Sequence, residues 1–197
     1  MSLTNVEIET LAKKMQIPLE FVGYKDELLF MKPKMNRAYV INLEDEFDEN
    51  GRKNDGSHWV CLLTNDKNAK GKGQYMYFDS YGCPAAKAIQ NFVGMTKIPY
   101  NTKDMQGLLS SVCGYFCLAL AHFVFASEHH TGDFYSDCNN FINMFYDMNK
   151  NMDFYQNEPI LRCFFQSANA AERVPIKNLH AITELNEEQI RALGNKL

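Results

Sequence analysis

Apolar positions recur along this chain in three rhythms, and each predicts a different kind of element. Over Thr4 to Met15 the apolar residues Val6, Ile8, Leu11 and Met15 fall mainly on one side of a helix. Thr4 and Glu7 stand at capping-box spacing there, so a short amphipathic helix is expected to cover the core. Ser57 to Thr64 and Gln74 to Asp79 are short runs rich in strand formers, and they read as two strands. The glycine- and asparagine-containing stretch 65–73 between them suits a long hairpin turn. Val112 to Ala126 shows no alternation at all. It is a continuous apolar run holding two cysteines, a histidine and a glycine, too short to span a bilayer and therefore a buried central helix. Pro84 to Gly94 reads as a helix opening at a proline, Ile98 to Tyr100 as a strand leading to Gln106, and Phe134 to Phe165 as further helical segments.

The pattern changes after Phe165, beyond which no aromatic residue occurs. Residues 1–166 are accordingly expected to form one folded domain, and 167–197 a C-terminal tail. Within the tail Asn186 caps a stretch with acids in its first turn and Gly194 at its end, the signature of a short final helix. Ile182, Leu185, Ile190, Leu193 and Leu197 could form its apolar stripe. Two roles are open for the tail: packing back on the domain, or acting as a built-in activator or a tether to a partner.

With 197 residues, 46% of them hydrophobic, the chain can fill one core, and no stretch offers a membrane span or a signal peptide. A soluble monomer is expected. The net charge of −4 argues against a general electrostatic hold on nucleic acid. Six cysteines lack the paired spacing of a zinc site, and a chain of this size needs no staples, so free thiols of a reducing compartment are expected. His129, His130 and Cys138 have metal-ligating side chains but no recognised spacing.

Chemistry enters with Cys113, at the head of the apolar helix, where Ser110-Ser111 is expected to supply a serine cap. A thiol at a helix start meets unpaired N–H groups and the positive dipole end, which favour the thiolate. The same residue could equally be a small buried hydrophobe. A nucleophile would need a base. His122 lies nine residues on, about 13 Å along the axis on the opposite face, and cannot reach it. His129 and His130 fall beyond the helix, and His180 sits in the polar tail, leaving His58 at the head of the first strand as the better base. If the two strands pair, Asp79 at the end of the second faces His58 and could orient its imidazole, or it could simply cap the following turn. Gln106 could supply a non-titrating donor to an oxyanion, as could the N–H groups of the helix start. Trp59, next to the base, could wall a substrate cleft or pack in the core. Cys117, one turn beyond Cys113, reads as buried. The run 42–56 is an acidic loop ending beside His58; it could connect a hairpin or steer basic substrates.

The order His58-Trp59, then Asp79, then Gln106, then Cys113-Gly114 resembles the clan of cysteine proteases that process viral and ubiquitin-like proteins. Phe21-Val22-Gly23-Tyr24, Ala38 to Asn42, Gly56 to Trp59, Tyr77 to Gly82, and Gln106-Gly107 to Cys117 are similar to the adenovirus maturation protease (adenain) family, in register over residues 4 to 165. Within it, the likeness is greatest to capsid maturation proteases of virophages and Polinton-type elements.

The resemblance implies an α+β, papain-like fold, with a central antiparallel or mixed sheet, helices around it and a buried helix carrying the nucleophile. It implies Cys113 as nucleophile, His58 as general base, Asp79 as orienting acid, and Gln106 with the Cys113 N–H as oxyanion hole. It further implies a maturation endopeptidase that cuts capsid or other virion structural precursors beside small residues such as glycine, in the virion and the host-cell cytoplasm, with no cofactor. Asp79 replaces the Glu of the adenoviral enzymes and matches the SUMO-protease branch, so a deconjugating isopeptidase is the rival. A catalytically inactive capsid-binding scaffold and an acetyltransferase of the same clan are the readings from other classes. The adenoviral enzymes are basic and activated by DNA and a disulfide-linked peptide. This chain is acidic and has no cysteine between Cys83 and Cys113, so neither activator is expected.

Overall fold

The computed structural model describes residues 2–66, 72–107, 110–126, 131–150 and 152–161. Helix α1 (Asn5–Lys14) begins at the expected capping box: the Glu7 amide donates to Thr4 Oγ1 at 3.3 Å, and the Thr4 amide donates to the Glu7 carboxylate at 2.8 Å. Ile8 and Ala12 are its buried residues, with the C-cap Met15 buried beside them, whereas Val6 is 65% exposed and does not belong to the apolar face. The chain continues as β1 (Leu19–Tyr24), a 3₁₀ turn (Lys25–Phe30), β2 (Arg37–Asn42), β3 (Trp59–Asn65) and β4 (Gln74–Phe78).

These strands form one mixed sheet in the order β1-β2-β3-β4, with β1 parallel to β2 and both other pairings antiparallel. The two central strands are covered on both faces: Ala38 to Ile41 and Val60 to Leu63 are fully buried. That is why their sequences run apolar without alternation. On one face, α2 (Lys87–Val93) and the 3₁₀ turn enclose Tyr39, Ile41, Val60, Leu62, Tyr77 and Ile89. On the other lies α3 (Cys113–Phe125), flanked by α1 and by α4 (Phe134–Asn143), over Val40, Cys61, Leu63 and Phe78. A second 3₁₀ turn, Met152–Gln156, and a helical turn at 157–161 complete the described chain.

The fold is thus α+β, with a four-stranded mixed sheet and helices packed around it. Three local expectations need correction. Helix α2 starts at Lys87 with Ala86 as its cap, so Pro84 stands outside it. Ile98 to Tyr100 contributes one isolated bridge, Tyr100 to Tyr77, and no strand. Helix α3 has no serine cap: Val112 is its N-cap and makes no side-chain cap bond. Among the described residues no helix is long and apolar enough to cross a membrane. Residues 167–197 with their expected helix, the boundary at 166, and His129, His130 and His180 lie outside the described residues.

Candidate active site

The site forms at one end of the sheet, because β3 begins where β4 ends. Their last ladder pair is Cys61 with Phe78, so the chain entering β3 and the chain leaving β4 emerge side by side. His58 precedes the first residue of β3 and Asp79 follows the last of β4. The His58 Nε2 and Asp79 Oδ1 lie 2.8 Å apart, with side chains only 13% and 3% exposed. With Nε2 committed to the carboxylate, Nδ1 is the nitrogen left to serve the thiol, and the imidazole and Cys113 shift each other's ionisation in opposite directions.

Each partner is fixed by its own backbone. His58 is delivered by an anchored loop: its carbonyl accepts from the Leu43 amide at 3.0 Å, and the buried Asn42 side chain accepts from the amides of Glu44 and Ser57 at 3.0 and 3.3 Å. Gly56 passes so close to Asn42, at φ 83°, that a side chain there would collide with the Asn42 amide. Asp79 sits at the head of a tight turn in which Gly82, at φ 71°, donates to the Asp79 carbonyl at 2.8 Å and the Tyr81 amide donates to Oδ1 at 2.9 Å. The Gly82 Cα faces the Thr102 backbone too closely for a Cβ. Asn101, buried beneath, accepts from the Asp79 amide at 3.0 Å and donates to its carbonyl at 2.7 Å. The Tyr81 amide and the imidazole thus hold the same carboxylate oxygen, on a backbone that Asn101 and Gly82 fix.

Cys113 is the first residue of α3, where the N–H groups have no intrahelical acceptor. The helix has no side-chain cap and no acidic residue in its first turn, and the Gly114 amide is turned to the sulfur. Burial pushes the Cys113 thiol up. The hydrogen bond from His58, the Trp59 and Gly114 amides and the imidazolium charge outweigh it, and hold the thiol below its ordinary value. The Trp59 amide lies 3.5 Å from Sγ. Burial likewise opposes charge on His58, but its bonds to Asp79 and Cys113 prevail and raise it to about 9. All five described cysteines are free thiols, and burial raises the other four, Cys61, Cys83, Cys117 and Cys138. Cys113 alone among them is held toward the thiolate. Cys117 donates to the Trp59 carbonyl at 3.5 Å deep in the core, as a structural thiol does.

Gln106 joins the site through the Asp79 turn. Its amide and that of Met105 donate to the Ser80 carbonyl at 3.2 and 2.8 Å. The side chain is buried and its orientation is set by its neighbours. Oε1 accepts from Ser80 Oγ at 2.8 Å, while Nε2 donates to the Ser110 carbonyl at 2.7 Å and to the Tyr81 hydroxyl at 3.2 Å. Trp59 is both core and site. It is 7% exposed, its Nε1–H donates to the Leu3 carbonyl at 2.8 Å, and it lines a pocket of about 240 Å³ with Leu3, Gly56, Ser57, Asn42 and Val22.

The structure thus brings Cys113, His58 and Asp79 together at one end of the sheet, with Gln106 and Trp59 beside them. His122 lies buried in the last turn of α3, as helix spacing requires. Tyr81, Ser80, Asn101 and Asn42 escaped sequence reasoning. The signal for the first three was their place in the turn after β4 and in the loop that meets it. No protein-family model matches the chain, and no curated protein sequence matches it significantly. Among the described residues no group of acids, histidines and cysteines could hold a metal ion.

Proposed function

We propose that this protein is a cysteine endopeptidase of papain-like fold that cleaves virion structural precursors. The observation that carries the reading is Cys113 at an uncapped helix start, its thiol lowered by a neighbouring imidazole that a buried carboxylate holds. A nucleophile, a base and an orienting group in that order are the working parts of acyl transfer. The viral substrate class follows from the motif order shared with the adenain family.

The Cys113 thiolate attacks the scissile carbonyl carbon, and the carbonyl π electrons move to oxygen. That oxyanion is received by the N–H groups at the start of α3 and by Gln106 Nε2–H. The imidazolium of His58 gives its proton to the leaving amine as the C–N bond breaks, which leaves a thioester on Cys113 and a neutral imidazole. His58 then takes a proton from water, whose oxygen attacks the thioester carbonyl. Collapse expels the Cys113 thiolate and restores the thiolate–imidazolium pair, and the new acid loses its proton to solvent. Asp79 holds the ring in the tautomer that serves both halves and stabilises its charge, without itself taking the proton. An extended peptide with a small residue is assigned to the pocket beside Trp59 and Gly56, residues on either side of His58 in the chain.

The test is co-expression of the protein, as wild type and as Cys113→Ala, with capsid and other structural precursors of its source, followed by intact-mass analysis of each precursor. A precursor shortened only by the wild type supports the reading and reads out the cleavage site. Identical precursor masses with both forms contradict it.

A further inference from the structure

The turn after Asp79 brings one more side chain into the site. The Tyr81 ring packs on the His58 imidazole, with centroids 4.7 Å apart and planes inclined at 36°, and its hydroxyl accepts the hydrogen bond from Gln106 Nε2. One residue therefore touches both the base and the oxyanion donor. Its backbone is tied to the carboxylate that holds the base, through the Tyr81 N–H on Asp79 Oδ1.

We propose that Tyr81 is a positioning residue for both halves of the reaction, its ring keeping His58 in line with Cys113 and its phenol oxygen keeping the Gln106 N–H aimed at the site of the oxyanion. The proposal rests on the cysteine-peptidase reading of the same site. An imidazole tied to a carboxylate through one nitrogen can still tilt about that bond, and a flat ring against its face removes the tilt. The π-face also favours the imidazolium over the neutral ring.

The Gln106 amide has two hydrogens and two different acceptors. The bond to the Ser110 carbonyl is short, at 2.7 Å, and Ser80 fixes the amide oxygen, so that end of the side chain is anchored. The second hydrogen goes to a neutral phenol at 3.2 Å, a longer and weaker contact. An oxyanion is a charge-assisted acceptor and would take this hydrogen from the phenol without the amide having to turn. In the resting protein Tyr81 thus keeps a donor ready that water would otherwise compete for. Burial and the neighbouring Cys113 and Asp79 charges push the phenol up, so it stays neutral throughout the working range.

Two full-chain variants separate the two jobs. Tyr81→Phe keeps the ring and removes the oxygen; Tyr81→Leu removes both. Turnover is read on a fluorogenic peptide ending in Gly-Gly-aminomethylcoumarin. The thiolate is read independently as the rate of Cys113 alkylation by iodoacetamide against pH, with peptide mapping. Tyr81→Phe should lower kcat about tenfold, a fraction of the 10²–10³ that loss of an oxyanion donor costs, with KM and the alkylation profile unmoved. Tyr81→Leu should lower kcat further and shift the alkylation profile to higher pH, because the imidazolium that stabilises the thiolate is less well held. Wild-type kcat in Tyr81→Phe, or an unshifted alkylation profile in Tyr81→Leu, overturns the corresponding half. If wild-type Cys113 is alkylated no faster than Cys83, the peptidase reading itself falls and Tyr81 has nothing to position. A reactive Cys113 indifferent to both variants sinks the Tyr81 proposal alone.

Discussion

Asp79→Asn removes one negative charge from the site while keeping its shape, and it isolates what the carboxylate does. His58 stands at about 9 against an ordinary 6.5. Each pKa unit corresponds to about 1.4 kcal/mol, so the site stabilises the imidazolium by about 3 kcal/mol. Asp79 contributes more of this than Cys113 does, through a 2.8 Å bond made out of solvent. Losing its charge is therefore worth about 2 kcal/mol, or about thirtyfold in the population of the ion pair. Asparagine can still accept from the Tyr81 amide and from Nε2–H, so the turn and the ring orientation should survive. The assay is the rate of Cys113 alkylation and of peptide cleavage across pH. The variant should form its thiolate at higher pH, lose its alkaline limb at lower pH, and peak about thirtyfold below the wild type. Wild-type pH dependence in a folded Asp79→Asn protein would refute the claim that the carboxylate sets the charge on His58.

Four further outcomes are expected. On the proposed mechanism the working form is thiolate with imidazolium, so wild-type kcat/KM should rise as Cys113 ionises below its ordinary value and fall as His58 loses its proton at about 9; a profile still climbing beyond that point would indicate an ordinary free thiol. At about pH 6, where an unperturbed thiol near 8.5 is almost fully protonated, iodoacetamide should modify Cys113 and spare Cys61, Cys83, Cys117 and Cys138, as read by peptide mapping. Gln106→Ala should lower kcat by about 10²–10³ with little change in KM, measured on the same fluorogenic peptide. Gly56→Ala should destabilise the fold by about 1–3 kcal/mol in a urea titration and lower kcat as well, because its side chain would push into Asn42, which anchors the loop carrying His58.

The sheet was legible where burial dictates composition. Val60 to Leu63 could hardly be anything but a strand, and Val112 to Ala126 hardly anything but an enclosed helix, whereas Ala38 to Ile41, equally buried, escaped sequence reasoning as a strand. The grouping of His58, Asp79 and Cys113 was legible because strand ends and a helix start constrain where three side chains can lie. Alternation alone would have misplaced its base: continued past Trp59, it puts His58 on the face of Val60 and Leu62, which pack away from α3. The chain leaves the ladder before Trp59 instead, and bonds from Asn42 and Leu43, far off in sequence, bring the imidazole to the other side. The absent serine cap has the same kind of cause: the Ser110 hydroxyl bonds Glu158, 48 residues away, and its carbonyl takes the Gln106 amide. Tyr81 was hidden because a tyrosine beside a turn glycine looks like any turn residue. Only the register of β3 against β4 makes it the neighbour of His58.

The central claim is that Cys113, activated by His58, accepts an acyl group. The most direct test is acid-quenched mass spectrometry of the protein mixed with the p-nitrophenyl ester of acetyl-glycyl-glycine, run on wild type, Cys113→Ala and His58→Ala. The account predicts a transient acetyl-glycyl-glycyl adduct on the Cys113 peptide of the wild type, absent from Cys113→Ala and formed far more slowly in His58→Ala. An adduct on Cys83 rather than Cys113, or one that forms on Cys113 equally fast without His58, would contradict it.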